Sequence, residues 1–137
     1  METCLAFITS NAAKKISDAF NEKLKILGIT RIKWNALYYL GDCQYMTQTE
    51  LAKKLNIKNS TAARLVVRME RDGHLYRPHS DTDRRTINLM ITANGRQVRE
   101  RIFPEEEKLS INACKDITEE EKIVFKRVLN KMLVNIE

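Results

Sequence analysis

The sequence predicts a mainly helical protein that carries a small β-hairpin, an α+β fold class. Apolar residues recur every three or four positions over most of the 137 residues, and only four Gly and two Pro interrupt them. One segment differs, because Ile87, Leu89 and Ile91 alternate with polar or flexible residues as in a half-buried strand. The length fits a single domain, residues 1–137.

End signals define the first two helices. An apolar stripe predicts a helix from Leu5 to Leu27, and Gly28 is a typical C-terminal stop. Thr30 is suited to cap a second helix that continues through Leu40. Because apolar residues occupy most faces of this second helix, we expect it to be buried.

Two short helices joined by a turn are predicted in "TQTELAKKLNIKNSTAARLVVRMERDG", residues 47–73. Thr47 and Glu50 have the spacing of a capping box, which would start a helix at Gln48 to Leu55. Residues 56–58 form the turn, and Asn59 or Ser60 is expected to cap a helix that reaches Asp72. This order is typical of a helix-turn-helix.

The second of these helices has two distinct faces. Its periodicity places four apolar residues inward: Ala62, Leu65, Val66 and Met69. The opposite side carries hydroxyl and guanidinium groups suited to the major groove of DNA, at Ser60, Thr61, Arg64, Arg68 and Arg71. The alternative is a helical hairpin whose arginines are only solvated.

A charged hairpin follows. Leu75 to Arg77 begins a strand, the alternating residues around Leu89 form its partner, and His79 to Arg85 is the loop between them. Arg84 and Arg85 at the tip are suited to enter a minor groove or to bridge phosphates. Alternation along an extended chain turns one of them toward DNA and the other toward the protein. An ordinary polar turn with surface ion pairs is the alternative.

Two helices complete the chain. Thr92 is expected to cap a helix from Ala93 to about Cys114, which Pro104 should kink or divide. Thr118 and Glu121 repeat the capping-box spacing at the start of the last helix.

The net charge is concentrated in the middle of the chain. The segment from Thr47 to Arg101 holds 12 basic and 6 acidic residues, which accounts for the whole net charge of +6. Such a segment is a candidate surface for a polyanion, of which nucleic acid is the commonest. A solvated basic face is the alternative.

Several classes of protein are not expected. No apolar run approaches the roughly 20 residues of a membrane span, and the N-terminal segment lacks a secretion signal, so we expect a cytoplasmic protein. Three distant cysteines without a CxxC pair indicate neither a disulfide framework nor a zinc site. We find no nucleophile motif or phosphate-binding loop, and we expect no catalysis, metal or cofactor.

Together these motifs resemble the MarR (multiple antibiotic resistance regulator) family of winged helix-turn-helix transcription regulators. The resemblance rests on "LGITRIKWNALYYL", on the helix-turn-helix of residues 47–73, and on "DRRTINLMITANGR". It implies a homodimer that binds a pseudo-palindromic DNA operator and usually represses. The implied DNA contacts are Lys58, Asn59, Ser60, Thr61, Arg64, Arg68, Arg84 and Arg85. Ser80 and Thr82 depart from the family's Asp-x-Arg, which shifts the wing contact onto the two arginines.

The resemblance also implies different roles for different segments of the chain. Residues 1–28 and 93–137 would be dimerisation helices, and residues 30–92 would be the winged helix-turn-helix. Apolar bands on the first and last helices favour an intertwined dimer independently, since a monomer of this size has difficulty burying both. A packed monomeric bundle is the alternative.

Many members of the family are released from DNA by small aromatic or anionic compounds. Candidate pocket residues here are Arg31, Trp34, Tyr38 and Tyr39, although aromatic residues on a buried helix are more often core. Other members sense peroxide through an N-terminal cysteine. Cys4 lacks the accompanying tyrosines at the corresponding positions, so we expect it to be inert. A redox-sensing regulator and a non-catalytic protein-interaction scaffold remain the alternative functions.

Overall fold

The computed structural model describes residues 4–78 and 88–137. In chain order these residues form six helices and three short strands: α1 (Leu5–Ile26), α2 (Arg31–Gly41), β1 (Met46–Thr47), α3 (Gln48–Leu55), α4 (Asn59–Arg71), β2 (Leu75–Tyr76), β3 (Asn88–Ile91), α5 (Ala93–Ala113) and α6 (Glu119–Ile136). The mainly helical class with a small β-element is confirmed.

The chain divides into two compact units, one up to residue 106 and one from residue 107. The first unit contains the helix-turn-helix and its core. Trp34 and Leu37 of α2 are buried with residues of α3, α4, β2, β3 and α5, and the fully buried partners are Leu51, Leu65, Val66, Met69, Leu75, Leu89 and Ile102. Only one face of α4 packs against this core.

Local signals set most helix boundaries as predicted. The Thr30 hydroxyl accepts a hydrogen bond from the Lys33 amide at 3.4 Å and caps α2. Thr47 and Glu50 form the predicted capping box of α3. Gly28, which follows α1, has the positive φ of 79° that glycine tolerates best.

The start of α4 differs from the prediction. The N-cap is Lys58, which makes no side-chain capping bond, whereas Asn59 and Ser60 are the first helical residues. The conformation of Asn56 accounts for this difference. Asn56 is the C-cap of α3 and adopts the left-handed conformation with φ 55°, which ends α3 abruptly and lets α4 begin earlier in the sequence than predicted. The side chains of Asn59 and Ser60 are therefore exposed on the first turn rather than used as caps.

The β-element has three strands rather than two. Its order is β1-β3-β2, and β3 is antiparallel to both neighbours. Met46 pairs with Leu89 and Leu75 pairs with Ile91, which places these four apolar residues in the core. The predicted hairpin strands are confirmed at Leu75 and Leu89, whereas Ile87 and the loop from His79 lie outside the described residues.

Pro104 does not divide α5, which is continuous from Ala93 to Ala113. Pro104 and Glu100 both lie on an exposed side of the helix. In a regular helix the Glu100 carbonyl would accept a hydrogen bond from the amide of residue 104. Solvent is therefore available to the carbonyl that loses its donor. At the other end Thr92 caps α5 as predicted, because its hydroxyl accepts from the Gly95 amide at 2.9 Å.

The second unit contains the end of α5 and all of α6. Thr118 caps α6 by accepting from the Glu121 amide at 3.1 Å. The predicted reciprocal bond is replaced, because the Glu121 carboxylate accepts from the Thr118 hydroxyl instead of the backbone amide. No residue of α6 is buried, and Phe125 and Ile136 expose 64% and 81% of their surface.

None of the helices in residues 4–78 and 88–137 combines the length and the apolar character that crossing a bilayer requires.

Candidate nucleic-acid interface

Helix α4 presents the two faces that its periodicity predicts. Ala62, Leu65, Val66 and Met69 are fully buried. On the other side Ser60, Arg64 and Arg68 are exposed, and Thr61 is half-buried at the edge of the core. The buried face fixes the helix to the body, and the exposed face is free for a ligand.

A concave surface of about 680 Å³ lies at the start of α4. It brings together four of the predicted contact residues, Lys58, Ser60, Thr61 and Arg64. Asn59 and Arg68 are exposed on the same helix but do not line the surface. Asn56 and Ile57 also line it, although the sequence predicted both only as turn residues. The tolerance of Asn for the left-handed conformation was the signal that could have placed Asn56 there.

The charges on α4 differ in whether they have partners. Within residues 4–78 and 88–137, Arg64 and Arg68 make no ion pair with an acidic side chain. Glu70, by contrast, accepts two hydrogen bonds from the Arg77 guanidinium, at 3.1 and 2.7 Å. These bonds lower the pKa of Glu70 and raise the pKa of Arg77. The positive charges of Arg64 and Arg68 therefore stay available for an anion.

An ion pair anchors the C-terminal end of α4. Asp72, the C-cap residue, accepts a hydrogen bond of 2.6 Å from the Lys33 ammonium of α2. This bond, together with the nearby charges of Lys33 and Arg71, lowers the pKa of Asp72. A carboxylate at a helix C-terminus opposes the helix dipole, and Lys33 offsets that effect.

The start of α5 packs closely behind α4. The Thr92 hydroxyl donates to the Gly73 carbonyl at 2.5 Å, and the Thr92 amide donates to the His74 carbonyl at 3.1 Å. Gly95 lies so near this turn that a Cβ atom at this position would clash with the His74 carbonyl oxygen. The position therefore requires glycine, and this contact fixes the turn that follows α4.

The base of the predicted wing is a regular antiparallel pair. Tyr76 pairs with Met90, and the Tyr76 hydroxyl donates to the Met90 sulfur at 3.3 Å. Arg84 and Arg85, the predicted contacts at the tip, lie outside the described residues.

A second concave surface, of about 350 Å³, lies between α2 and α5. Its walls include Tyr38 and Phe103, whose rings stack with centroids 6.1 Å apart. The Arg99 guanidinium lies 5.4 Å from each ring centroid and pairs with Asp42 at 2.8 Å. The Arg99 Nε atom is buried and has no hydrogen-bond partner in the described part of the chain.

Of the four predicted pocket residues, Tyr38 alone lines this surface. Trp34 is 1% exposed, and its ring makes edge contacts with Tyr38 and Phe103 from the core side. Arg31 donates to Glu106 at 2.7 Å, and Tyr39 packs its ring edge to face against Tyr38. Arg99 and Phe103 were not predicted from the sequence, because only the packing of α5 against α2 brings them to Tyr38.

All three cysteines are free thiols. Cys4 is exposed, whereas Cys43 and Cys114 are partly buried. Burial raises the pKa of the Cys43 thiol, and the carboxylates of Asp42 and Glu50 add to this effect. The Cys43 thiol donates to the Tyr39 carbonyl at 3.5 Å, so this group is held in its protonated form.

Comparison with known proteins shows a similarity to one family over part of the chain. The family model described as "MarR family" matches residues 27–86, which run from the end of α1 through the helix-turn-helix to the loop after β2. Over these residues the chain is similar to proteins of the MarR family.

Curated proteins similar to this chain are helix-turn-helix transcriptional regulators. One, from Bacillus cereus, is 29% identical over 107 residues, which is 77% of this chain and 71% of the relative. The HTH-type transcriptional repressor YetL of Bacillus subtilis is 26% identical over 122 residues, 88% of this chain and 73% of YetL.

Solved structures of the MarR family share the whole fold. MepR of S. aureus, crystallised as a complex with DNA, superposes with a TM-score of 0.87 and 25% identity, covering 96% of this chain and 98% of MepR. The described helices and three-stranded sheet are thus those of a MarR-family winged helix.

Proposed function

We propose that this protein is a non-catalytic transcription regulator of the MarR family that binds a pseudo-palindromic operator in double-stranded DNA as a homodimer and represses transcription. The observation that carries the proposal is the exposed face of α4, where hydroxyl groups project together with guanidinium groups that have no acidic partner among the described residues, while the other face of the helix is buried. MepR, which has the same fold, was crystallised with DNA, and YetL is named a repressor. The proposal places the protein in the cytoplasm, with its DNA.

In this proposal α4 is the recognition helix and lies in the major groove. Ser60 and Thr61 hydroxyls are suited to phosphates or base edges, and Arg64 is suited to pair with the O6 and N7 atoms of guanine. Lys58, Asn59 and Arg68 contact the backbone beside them. The wing arginines, Arg84 and Arg85, reach the adjacent minor groove.

In this proposal the dimer interface is formed by the terminal helices α1 and α6 and by the end of α5. Several large apolar side chains of α1 are exposed: Leu5, Phe7, Ile8 and Ile16. Most of those on α6 are exposed as well: Ile123, Val124, Phe125, Val128, Leu133 and Ile136. An apolar surface of this extent marks an interface with another protein, and a two-fold copy is the commonest partner. Sedimentation should give twice the chain mass of 16.0 kDa, and a stable monomer would contradict this part.

We propose that the effector is a small aromatic anion, which binds in the concave surface between α2 and α5. The stacked rings of Tyr38 and Phe103 offer an apolar wall, and the Arg99 guanidinium, 5.4 Å from each ring centroid, offers a positive charge. Trp34, the single Trp of the chain, contacts both rings and is a natural reporter. Benzoate should change its fluorescence in a saturable way, and Phe103→Ala should weaken that binding, with the exposed Tyr45→Ala as control. A linear response in all three proteins would contradict the site.

DNA binding itself is tested by titrating the protein into mixed-sequence duplex DNA at two salt concentrations. If about six phosphates are neutralised, affinity should fall by about three orders of magnitude between 50 and 200 mM salt. The control is bovine serum albumin, an acidic protein that should show no binding. Absence of salt-sensitive binding would overturn the proposal and favour a protein-interaction role.

A further inference from the structure

One apolar side chain lies on the exposed polar face of α4. Val67 exposes 55% of its surface, whereas its neighbour Val66 exposes none. The structure describes every residue of α4, and within this helix Val67 is the one large apolar side chain that is exposed. Its exposure follows from its position on the helix, because the buried face is already filled.

The helical period places Val67 in line with the polar side chains. Val67 follows Ser60 by seven residues and Arg64 by three, and Arg71 follows it by four. Residues at these intervals lie above one another on one side of a helix. Ser60, Arg64 and Arg71 are all exposed, so Val67 occupies the middle of the stripe that the proposed function directs at DNA.

A valine on this stripe has a narrow range of partners. Its side chain neither donates nor accepts hydrogen bonds, so it gains nothing from a phosphate or from the polar edge of a base. The major groove contains one apolar group of suitable size, the C5-methyl of thymine. Burying both surfaces against each other removes apolar area from water, which a polar residue at this position would not achieve.

We propose that Val67 is a specificity-determining residue that reads the C5-methyl group of a thymine in each half-site. The inference rests on the proposed DNA-binding function and adds one base preference to it. The rise of α4 also predicts where the thymine lies. Three residues span about 4.5 Å of helix, and neighbouring bases of one strand lie about 3.4 Å apart. The thymine should therefore lie one or two base pairs from the guanine bound by Arg64.

The test uses an operator duplex obtained by selection from random DNA. Each thymine in turn is replaced by deoxyuridine, which removes the C5-methyl group and leaves the Watson–Crick edge unchanged. Affinity is measured for the wild-type protein and for Val67→Ala on every duplex. Circular dichroism verifies that the variant is folded, and the thymines outside the contact position serve as internal controls.

The wild-type protein should lose about fourfold in affinity at one thymine per half-site, the amount expected for one buried methyl group. Val67→Ala should bind the thymine and deoxyuridine duplexes at that position equally well. The inference is overturned if no thymine responds in the wild-type protein, or if Val67→Ala loses as much as the wild type at the responding position. A uniform loss for Val67→Ala on all duplexes would also overturn it, because that result indicates contact with the sugar-phosphate backbone. If selection enriches no sequence, the proposed function fails, which is a distinct outcome.

Discussion

Arg64 lies on the exposed face of α4 and lines the concave surface at the start of the helix, and its guanidinium pairs with no acidic side chain in residues 4–78 and 88–137. Arg64→Ala should lower the ratio of operator to random-DNA affinity by about 5- to 150-fold, because a bidentate contact with guanine contributes about 1–3 kcal/mol of discrimination. Both affinities are measured by fluorescence anisotropy at one salt concentration.

A charge-matched control separates base reading from general attraction. Lys14→Ala removes one positive charge from the exposed Lys14–Asp18 pair of α1. It should leave the affinity ratio unchanged. If Arg64→Ala also leaves the ratio unchanged and weakens both affinities equally, Arg64 contacts phosphate and not a base.

Glu70 and Arg77 give a prediction about pH. Arg77 lowers the pKa of Glu70 in the folded protein, so the pair stabilises the fold above the unfolded-state pKa, and this contribution is lost as pH falls through the folded-state value. Glu70→Gln should lower the free energy of unfolding at neutral pH by less than about 1 kcal/mol, since both side chains are more than a third exposed. The difference from wild type should shrink below pH 4.5, the ordinary pKa of Glu.

Urea unfolding at a series of pH values measures this difference. Arg77→Gln, which removes the other member of the pair, should give a difference with the same pH dependence. A Glu70→Gln difference that grows toward acid pH would contradict the assignment.

At the scale of elements, the capping box of α3 can be tested with two threonines two residues apart. Thr47→Ala should destabilise the protein by about 1 kcal/mol, because it leaves the Glu50 amide without its acceptor. Thr49→Ala, an exposed position within the same helix, should be neutral or slightly stabilising, since Ala has the higher helix propensity. Thermal unfolding of both variants is the measurement, and equal losses would show that the cap contributes nothing specific.

The wing is the second element with a distinct prediction. Arg84→Ala combined with Arg85→Ala should weaken binding to every duplex and make the salt dependence shallower, by about 0.9 in the logarithmic slope for each phosphate that the pair neutralises. The slope is obtained from affinities at several salt concentrations. Unchanged affinity and slope would remove these arginines from the interface.

Elements governed by local signals were predictable from the sequence. The bounds of α3 follow from Thr47 and Glu50, and the two faces of α4 follow from its period. Features that depend on distant packing were not predictable. Strand β1 has only two residues, and it exists because Met46 meets Leu89 across the sheet. Continuity of α5 through Pro104 depends on which side of the helix faces solvent.

The candidate site divides in the same way. The contact residues of α4 lie on one helix, so sequence spacing places them together. The groove near Tyr38 draws Arg99 and Phe103 from α5, more than 60 positions along the chain, and no local pattern connects them. Val67 was predictable only in part. Its spacing from Ser60 and Arg64 places it on the polar face of α4, but only the structure shows that its side chain is exposed.

For the whole molecule, charge and apolar surface are segregated along the chain. The segment from Thr47 to Arg101 holds all of the net charge, and the exposed apolar side chains concentrate on α1 and α6. This separation fits one surface for a polyanion and another for a second copy of the chain. Reading of DNA by a dimer requires both.

Selection of bound sequences from random duplex DNA tests this central claim most directly. A two-fold dimer should enrich two inverted half-sites whose centres lie about 10 base pairs, or a multiple of that, apart. A shuffled duplex of the same composition is the control for general attraction. An enriched single half-site would contradict the dimer, and the absence of any enriched sequence would contradict the account as a whole.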